Sequence, residues 1–335
     1  MCLLRTSYFS CSRRHFLALP TKNSLIYSEI YNIIYYLCKL ISFGLFMIWQ
    51  FVINGLITGI LYSLLAIGFA LVYNTTKIFH IAAAGIYVFA AFMFWLFAAQ
   101  LGLPVILAAL IAILLSSILS LMSEALVYHP LKNRNASLNI SMIASIGLMT
   151  IIVNTMAMFF GNDTKVISNA IMKPLNLGSI IITMPQIFQA IIGVLVLIIF
   201  VITLQHTDWG VRLRALSADE SLFETLGYDT NRTRVVVFMV SGALIALASC
   251  LTVYDVGLDP NMGMNVLINA IVAMIIGGMG RFNACILGGL CLGVLQQLTV
   301  YHFASNWQNA VTFLVLLIFL FLRPQGIAGY KQRTV

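Results

Sequence analysis

Charge is what this 335-residue chain has least of. Asp, Glu, Lys and Arg make up 8% of it, with ten acids against eighteen bases. Soluble proteins carry about 25% charged residues, so an ordinary water-soluble core is excluded. Signatures of chemistry are missing as well. The six cysteines (Cys2, Cys11, Cys38, Cys250, Cys285 and Cys291) form no CxxC pair and no cluster with histidine. Cys250, Cys285 and Cys291 lie in or near apolar runs and serve there as small apolar residues, so no metal is expected. There is no HExxH and no GxSxG. No lysine follows a glycine, which leaves the phosphate-binding lysine of a P-loop without a place. No repeat of 20–50 residues is visible.

What is present is hydrocarbon. The chain is 61% hydrophobic with a mean hydropathy of +1.01, and a membrane helix needs about 20 apolar residues to cross roughly 30 Å. Such runs occupy 49–73, 78–99, 103–127, 138–160, 185–205, 235–254, 265–280, 282–301 and 307–322. They predict an all-α polytopic bundle of eight or nine spans in a lipid bilayer. Gly277, Gly278 and Gly280 interrupt 265–301, which reads as one helix broken there or as two crossings. The net charge of +8 points to loops facing anionic lipid and the cell interior rather than to nucleic acid.

Loop charge sets the orientation. Residues 206–234 and the tail with Arg323, Lys331 and Arg333 are expected inside, together with Lys77, Lys132 and Arg134. The loop 255–264, with Asp255 and Asp259 and no base, belongs outside. The loop 161–184 also falls outside, against the preference of Lys165 and Lys173. The same parity puts the residues before Trp49 outside, although 1–46 hold Arg5, Arg13, Arg14, Lys22 and Lys39 against Glu29. Either 25–46 is a further, poor span, or 1–46 is an extension, disordered or ahead of a true start at Met47; the second reading is preferred. The transmembrane domain is then 47–335.

The segment 206–234 is a charged island. Asp208, Asp219, Glu220, Glu224 and Asp229 are half of all the acids, and Arg212, Arg214, Arg232 and Arg234 accompany them. Charge gathered between two spans offers a soluble protein a place to dock. Ser217 as a cap, Asp219 and Glu220 beyond it, and Gly227 as a stop predict a short amphipathic helix over 217–226. Leu222, Phe223 and Leu226 would form its apolar side, turned to the bundle.

At this point the chain resembles a family. Arg214-Ala215, Asp219 and Leu226-Gly227, spaced as in RALSADESLFETLGYD, resemble the cytoplasmic coupling segment of branched-chain amino acid ABC transporter permeases. Asn54–Phe92 resembles that family's first span and the glycine-marked segment after it. Ala270–Gln296 resembles its glycine-rich penultimate region, and Arg323–Gly329 its closing motif. The likeness runs from about Met47 to Val335. Departures are visible. Where members carry an Asn-Phe-Ala-His-Gly-type run, this chain has His80 and Ala84 before Gly85. Asn283 stands where proline is common, and Phe223 where a small residue is usual. The first two departures leave the substrate open among branched-chain amino acids, urea, amides and other small solutes.

The resemblance implies an importer subunit in a bacterial inner membrane, performing no bond chemistry and working by alternating access. Its partners would be a second permease, two ATPase subunits that use the ATP, and an external binding protein. It assigns ATPase coupling to Arg214, Ala215, Asp219, Glu220, Leu226 and Gly227. Pathway or hinge roles fall to His80, Gly85, Gly277, Gly278 and Gly280, weighed against plain helix packing for the glycines and an interfacial place for His80. Glu124 is the one acid embedded in a predicted span, near enough to its end to reach the interface. Asn154, Gln189, Asn265, Asn269 and Gln296 could line a route or bond neighbouring helices. A self-sufficient secondary transporter or channel is the alternative, and the shortage of acids at membrane depth speaks against it.

Overall fold

A computed structural model describes residues 24–167, 175–177, 180–278, 280–323 and 326–327. Residues 1–23 and most of the closing motif lie outside the described residues. Two compact units are distinguished, Met1–Trp49 and Gln50–Val335. The backbone is helical from Ser24, where α1 (Ser24–Thr76) begins. There follow α2 (Ala83–Trp95), α3 (Val105–Ser123), α4 (His129–Asn133) and α5 (Leu138–Phe160). A two-stranded antiparallel hairpin, β1 (Leu175–Leu177) and β2 (Ile180–Ile182), precedes α6 (Met184–His206). Then come α7 (Asp208–Ala218), α8 (Glu220–Thr225), α9 (Thr230–Val256), α10 (Met262–Gly277), α11 (Phe282–His302) and α12 (Gln308–Leu322). Among the described residues eight helices are long and apolar enough to cross a membrane, and α10 is a shorter apolar one. The chain is an all-α polytopic helical bundle.

Small residues decide which helix takes the centre. α2 is rich in alanine and buries ten of its thirteen residues, Ala83, Ala84, Gly85, Ala90 and Ala91 among them. Helices that lack bulky side chains approach closely without a hydrophobic drive. Serines then fasten the neighbours by donating to carbonyls of other helices. Ser120 Oγ donates to Phe238 O at 2.7 Å, Ser241 Oγ to Gly68 O at 2.6 Å and Ser249 Oγ to Tyr87 O at 2.7 Å. On α3 the serines at 116, 120 and 123 are all buried, while its exposed side, from Ile106 through Leu110, Leu114 and Ile118 to Met122, is apolar. The helix therefore turns its polar stripe inward and its hydrocarbon outward.

A close seam joins α1 and α11. A Cβ added to Gly59 would stand 2.9 Å from Leu290 Cα, and one on Gly55 2.8 Å from Val294 Cα. Both obstacles are backbone, so neither can swing aside. Gly59→Val is expected to cost about 1–3 kcal/mol by overpacking. Thermal melting of the purified protein in detergent would read this as a lowered midpoint. An unchanged midpoint would mean that the seam yields without cost.

The interrupted segment 265–301 falls into two helices, with the break at the glycines as expected. α10 and α11 form an antiparallel hairpin: Gly277 lies against Ala284 and Cys285, and Gly288 against Ala273. Gly278 (φ 120°) and Gly280 (φ 101°) provide its turn, in a region of backbone space that side chains disfavour. Residue 327 donates its N–H to Ile276 O at 2.9 Å, so the described part of the closing motif rests on this turn.

Polar side chains in the bundle bond to one another. Gln296 accepts from Tyr62 Oη at 2.7 Å and donates to Asn269 Oδ1 at 3.0 Å and Thr312 Oγ1 at 2.6 Å, linking α1, α10, α11 and α12. Gln189 Nε2 donates to Leu251 O at 2.8 Å. Asn154 and Asn265 are exposed instead.

Candidate coupling site

The charged island folds into two helices rather than one. Asp219, in extended conformation (φ −155°, ψ 116°), separates α7 from α8 and caps α8, accepting from Ser221 N at 2.9 Å and Leu222 N at 3.2 Å. The expected cap, Ser217, sits in the last turn of α7 and donates back to Arg214 O at 2.9 Å. A carboxylate at the positive end of a helix is the stronger partner for its free N–H groups, which is why the break falls at Asp219. The hydrogen bonds from Ser221 and Leu222 hold the Asp219 carboxyl below its usual range. Its contribution to α8 is therefore present above the ordinary carboxylate value and is lost as pH falls through the lowered one. Asp229 repeats the device at the start of α9, accepting from Asn231 N at 2.9 Å and Arg232 N at 3.2 Å. Gly227 (φ 82°) turns the chain between α8 and Asp229.

Cations from two other loops clamp this segment. Lys77 takes a left-handed conformation at the end of α1 (φ 58°) and its Nζ donates to Ser217 O at 3.1 Å. Partial burial draws the Lys77 ammonium below its usual range. Lys132 pairs with Glu220. The loops holding Lys77, Lys132 and 206–234 thus share one end of the bundle. Residues 165 and 258, which pair through two backbone hydrogen bonds, belong to loops expected at the opposite end, the first by the parity of the spans and the second by its charge.

Only one of the three expected inward leucine and phenylalanine side chains turns inward. Phe223 is buried (1% exposed) and stacks on Tyr228 at 5.1 Å between ring centroids, with the Arg212 guanidinium 5.2 Å from that second ring. A large residue at 223 therefore anchors α8. Leu222 and Leu226 are 59% and 64% exposed. Leu222 on α8 and Leu226 just past its end form an apolar knob, with Arg214 and Glu224 exposed nearby in sequence. Ala215, on α7, is half-buried. Asp219 and Asp229 cap helices of the island, and its outward side carries the two leucines among exposed charges. The sequence signal for this was the i, i+4 spacing of the two leucines, read with the wrong face inward.

Beneath the segment lies a buried ion pair. Glu124, which sequence alone brings to the interface, is buried, and its Oε1 accepts from Arg234 Nε at 2.9 Å, with Arg234 Nη2 also at 2.9 Å. A π-turn, Glu124–Tyr128, continues α3 and carries Glu124 and Tyr128, both buried. On α9, Arg234 and Phe238 face them: Tyr128 and Phe238 ring centroids lie 5.5 Å apart. His80 joins this cluster and is fully buried rather than interfacial. Its Nδ1 is 2.9 Å from Tyr128 Oη, which donates to Ser145 Oγ at 2.7 Å, and Ser145 Oγ also accepts from Ala82 N at 2.8 Å. Glu124 Oε2 and His80 Nε2 have no hydrogen-bond partner among the described residues. Gly85 is buried in α2 against Met149 and Ile152 of α5. Arg234 was the missed residue. A lone acid in a span calls for a cation at its depth, and Arg234 is one turn into α9.

The fold and this site define a multi-pass membrane protein with a structured, clamped segment at one end of its bundle. The chain belongs to the family described as the branched-chain amino acid transport system / permease component, which matches residues 51–320. It is 28% identical over 297 residues to the high-affinity branched-chain amino acid transport system permease protein BraD of Pseudomonas aeruginosa, covering 84% of this chain and 96% of that one. LivH of Escherichia coli K12, of the same description, is 25% identical with the same coverage. The fructose import permease protein FruG of Bifidobacterium longum is 26% identical over 246 residues, 70% of this chain and 72% of that one.

Proposed function

We propose that this chain is the inner-membrane permease subunit of an ATP-driven importer in a bacterium, moving branched-chain or related small amino acids by alternating access. Two ATPase subunits dock at 206–234 on the cytoplasmic side, using Arg214, Ala215, Asp219, Glu220, Leu226 and Gly227. A second homologous permease completes the pathway, and an external binding protein delivers the substrate. The chain itself forms and breaks no bonds and carries no cofactor; ATP is used on the partner subunits. His80, Gly85, Gly277, Gly278 and Gly280 serve the pathway or its hinges.

The observation that carries this reading is the clamped segment, with Lys77 and Lys132 tying it to the loops after α1 and α3. Force applied to the segment would reach the loop after α1 through α7 and the loop after α3 through α8. The relatives named for branched-chain amino acid transport support the substrate class. The test is purification of the tagged chain expressed with its neighbouring genes, in mild detergent. Stoichiometric ATPase subunits and substrate-stimulated ATP hydrolysis are expected. A chain that instead transports amino acid by itself in liposomes, with an ionophore abolishing the activity, would overturn the proposal.

A further inference from the structure

α9 starts at the coupling segment and ends on the opposite side of the bundle, and Asp255 stands in its last turn. Four acids among the described side chains are not exposed: Glu124, Glu220, Asp255 and Asp259. Glu124 pairs with Arg234 and Glu220 with Lys132. Asp259 accepts from Asn261 N at 2.7 Å. Asp255 is half-buried and has no such occupation. Thr183 Oγ1 of the α6 cap donates to it at a long 3.5 Å, and the Gln189 side chain lies beside it. No cation pairs with it among the described residues. Lys165, held at this end by its bonds to Leu258, stands over the Trp95 ring at 4.7 Å instead. A carboxylate in the last turn of a helix also faces the negative end of the helix dipole, and partial burial weakens its hydration. Nothing described within the chain offsets either cost.

We propose that Asp255 receives the ammonium group of the transported amino acid as it enters from the outer side. The inference rests on the amino-acid importer reading above and names the residue that selects for a charged amine. An ammonium brings three N–H donors, and this place gathers acceptors for them. They are the Asp255 carboxylate, the last-turn carbonyls that α9 leaves unbonded, and the oxygen of Gln189, whose Nε2 is taken by Leu251 O at 2.8 Å. The helix end that repels the carboxylate attracts the cation. Gln189 is only 3% exposed, so the acceptors lie in a recess that suits a small solute rather than the surface of a protein. A divalent metal would ask for more ligands, and no group of three His, Cys, Asp or Glu suited to one occurs among the described residues.

The test is leucine uptake into proteoliposomes that hold the permease with its partner subunits, with ATP on the ATPase side and the binding protein on the other. Asp255→Asn keeps the shape and still accepts from Thr183 but loses the charge. It is expected to lower uptake about ten-fold or more, the scale of a lost hydrogen bond to a charged group. Asp255→Glu is expected to rescue uptake to within about three-fold of wild type, and Thr183→Val to stay within about two-fold. Capture of the binding protein by the complex should be the same in all of them. Undiminished uptake by Asp255→Asn overturns the inference. An equal loss in Thr183→Val overturns it too, because the contact would then only fasten α6 to α9. Lost capture of the binding protein in Asp255→Asn would make the acid a protein contact and has the same consequence. A wild-type complex that takes up no leucine overturns the importer reading instead.

Discussion

Arg234→Met is expected to destabilise the protein by about 3–5 kcal/mol, because it leaves Glu124 as an uncompensated buried charge. The two side chains are 3% and 4% exposed and bonded at 2.9 Å. Glu124→Met should do the same from the other side, stranding the guanidinium among Tyr128, Phe238 and the start of α9. The double variant Glu124→Met with Arg234→Met is expected to recover most of the loss, since an apolar pair of similar volume removes the desolvation cost together with the attraction. Fluorescence-detected gel filtration after a heat series would rank the three proteins. A single variant that melts with the wild type would show that water reaches the pair. If the double variant retains its fold but loses transport, the ion pair links α3 to the coupling segment beyond its role in stability.

Leu222→Glu with Leu226→Glu is expected to remove the ATPase subunits from the purified complex, cutting their recovery at least tenfold, while the permease still folds. Each leucine is more than half exposed and gains about 1.5–3 kcal/mol when fully buried against a partner. A glutamate in its place gains none and brings a charge into an apolar contact. Arg232→Ala provides the comparison. It is exposed and, among the described residues, engaged only with the neighbouring cap Asp229 at 3.1 Å, and its removal is expected to leave the complex intact. Undiminished ATPase recovery with the double glutamate variant would move docking to the charged residues of α7.

Much of this architecture was legible in the residues. The apolar runs at 138–160, 185–205 and 307–322 correspond to α5, α6 and α12 within a residue or two, because hydropathy over a span is a local property. The charged island could be recognised for the same reason: it interrupts hydrocarbon. Its internal design was harder to read. Ser217 and Asp219 are both good caps two residues apart, and the preference for the carboxylate rests on the hydrogen bonds it forms with Ser221 and Leu222. The face of α8 turned inward depended on where the Tyr228 ring stood to receive Phe223.

Composition and period by themselves determined that the chain crosses a membrane many times, that its glycines would sit where helices meet or turn, and that its charge would gather at one end. These are properties of single segments in contact with lipid or water. Tertiary structure alone decided that Gly278 and Gly280 turn a hairpin, that Glu124 finds Arg234 from 110 residues away, and that Leu222 and Leu226 point outward. Each of these depends on how a helix is rotated about its axis and which neighbour it meets, and a hydropathy pattern spread around the whole helix leaves that rotation free.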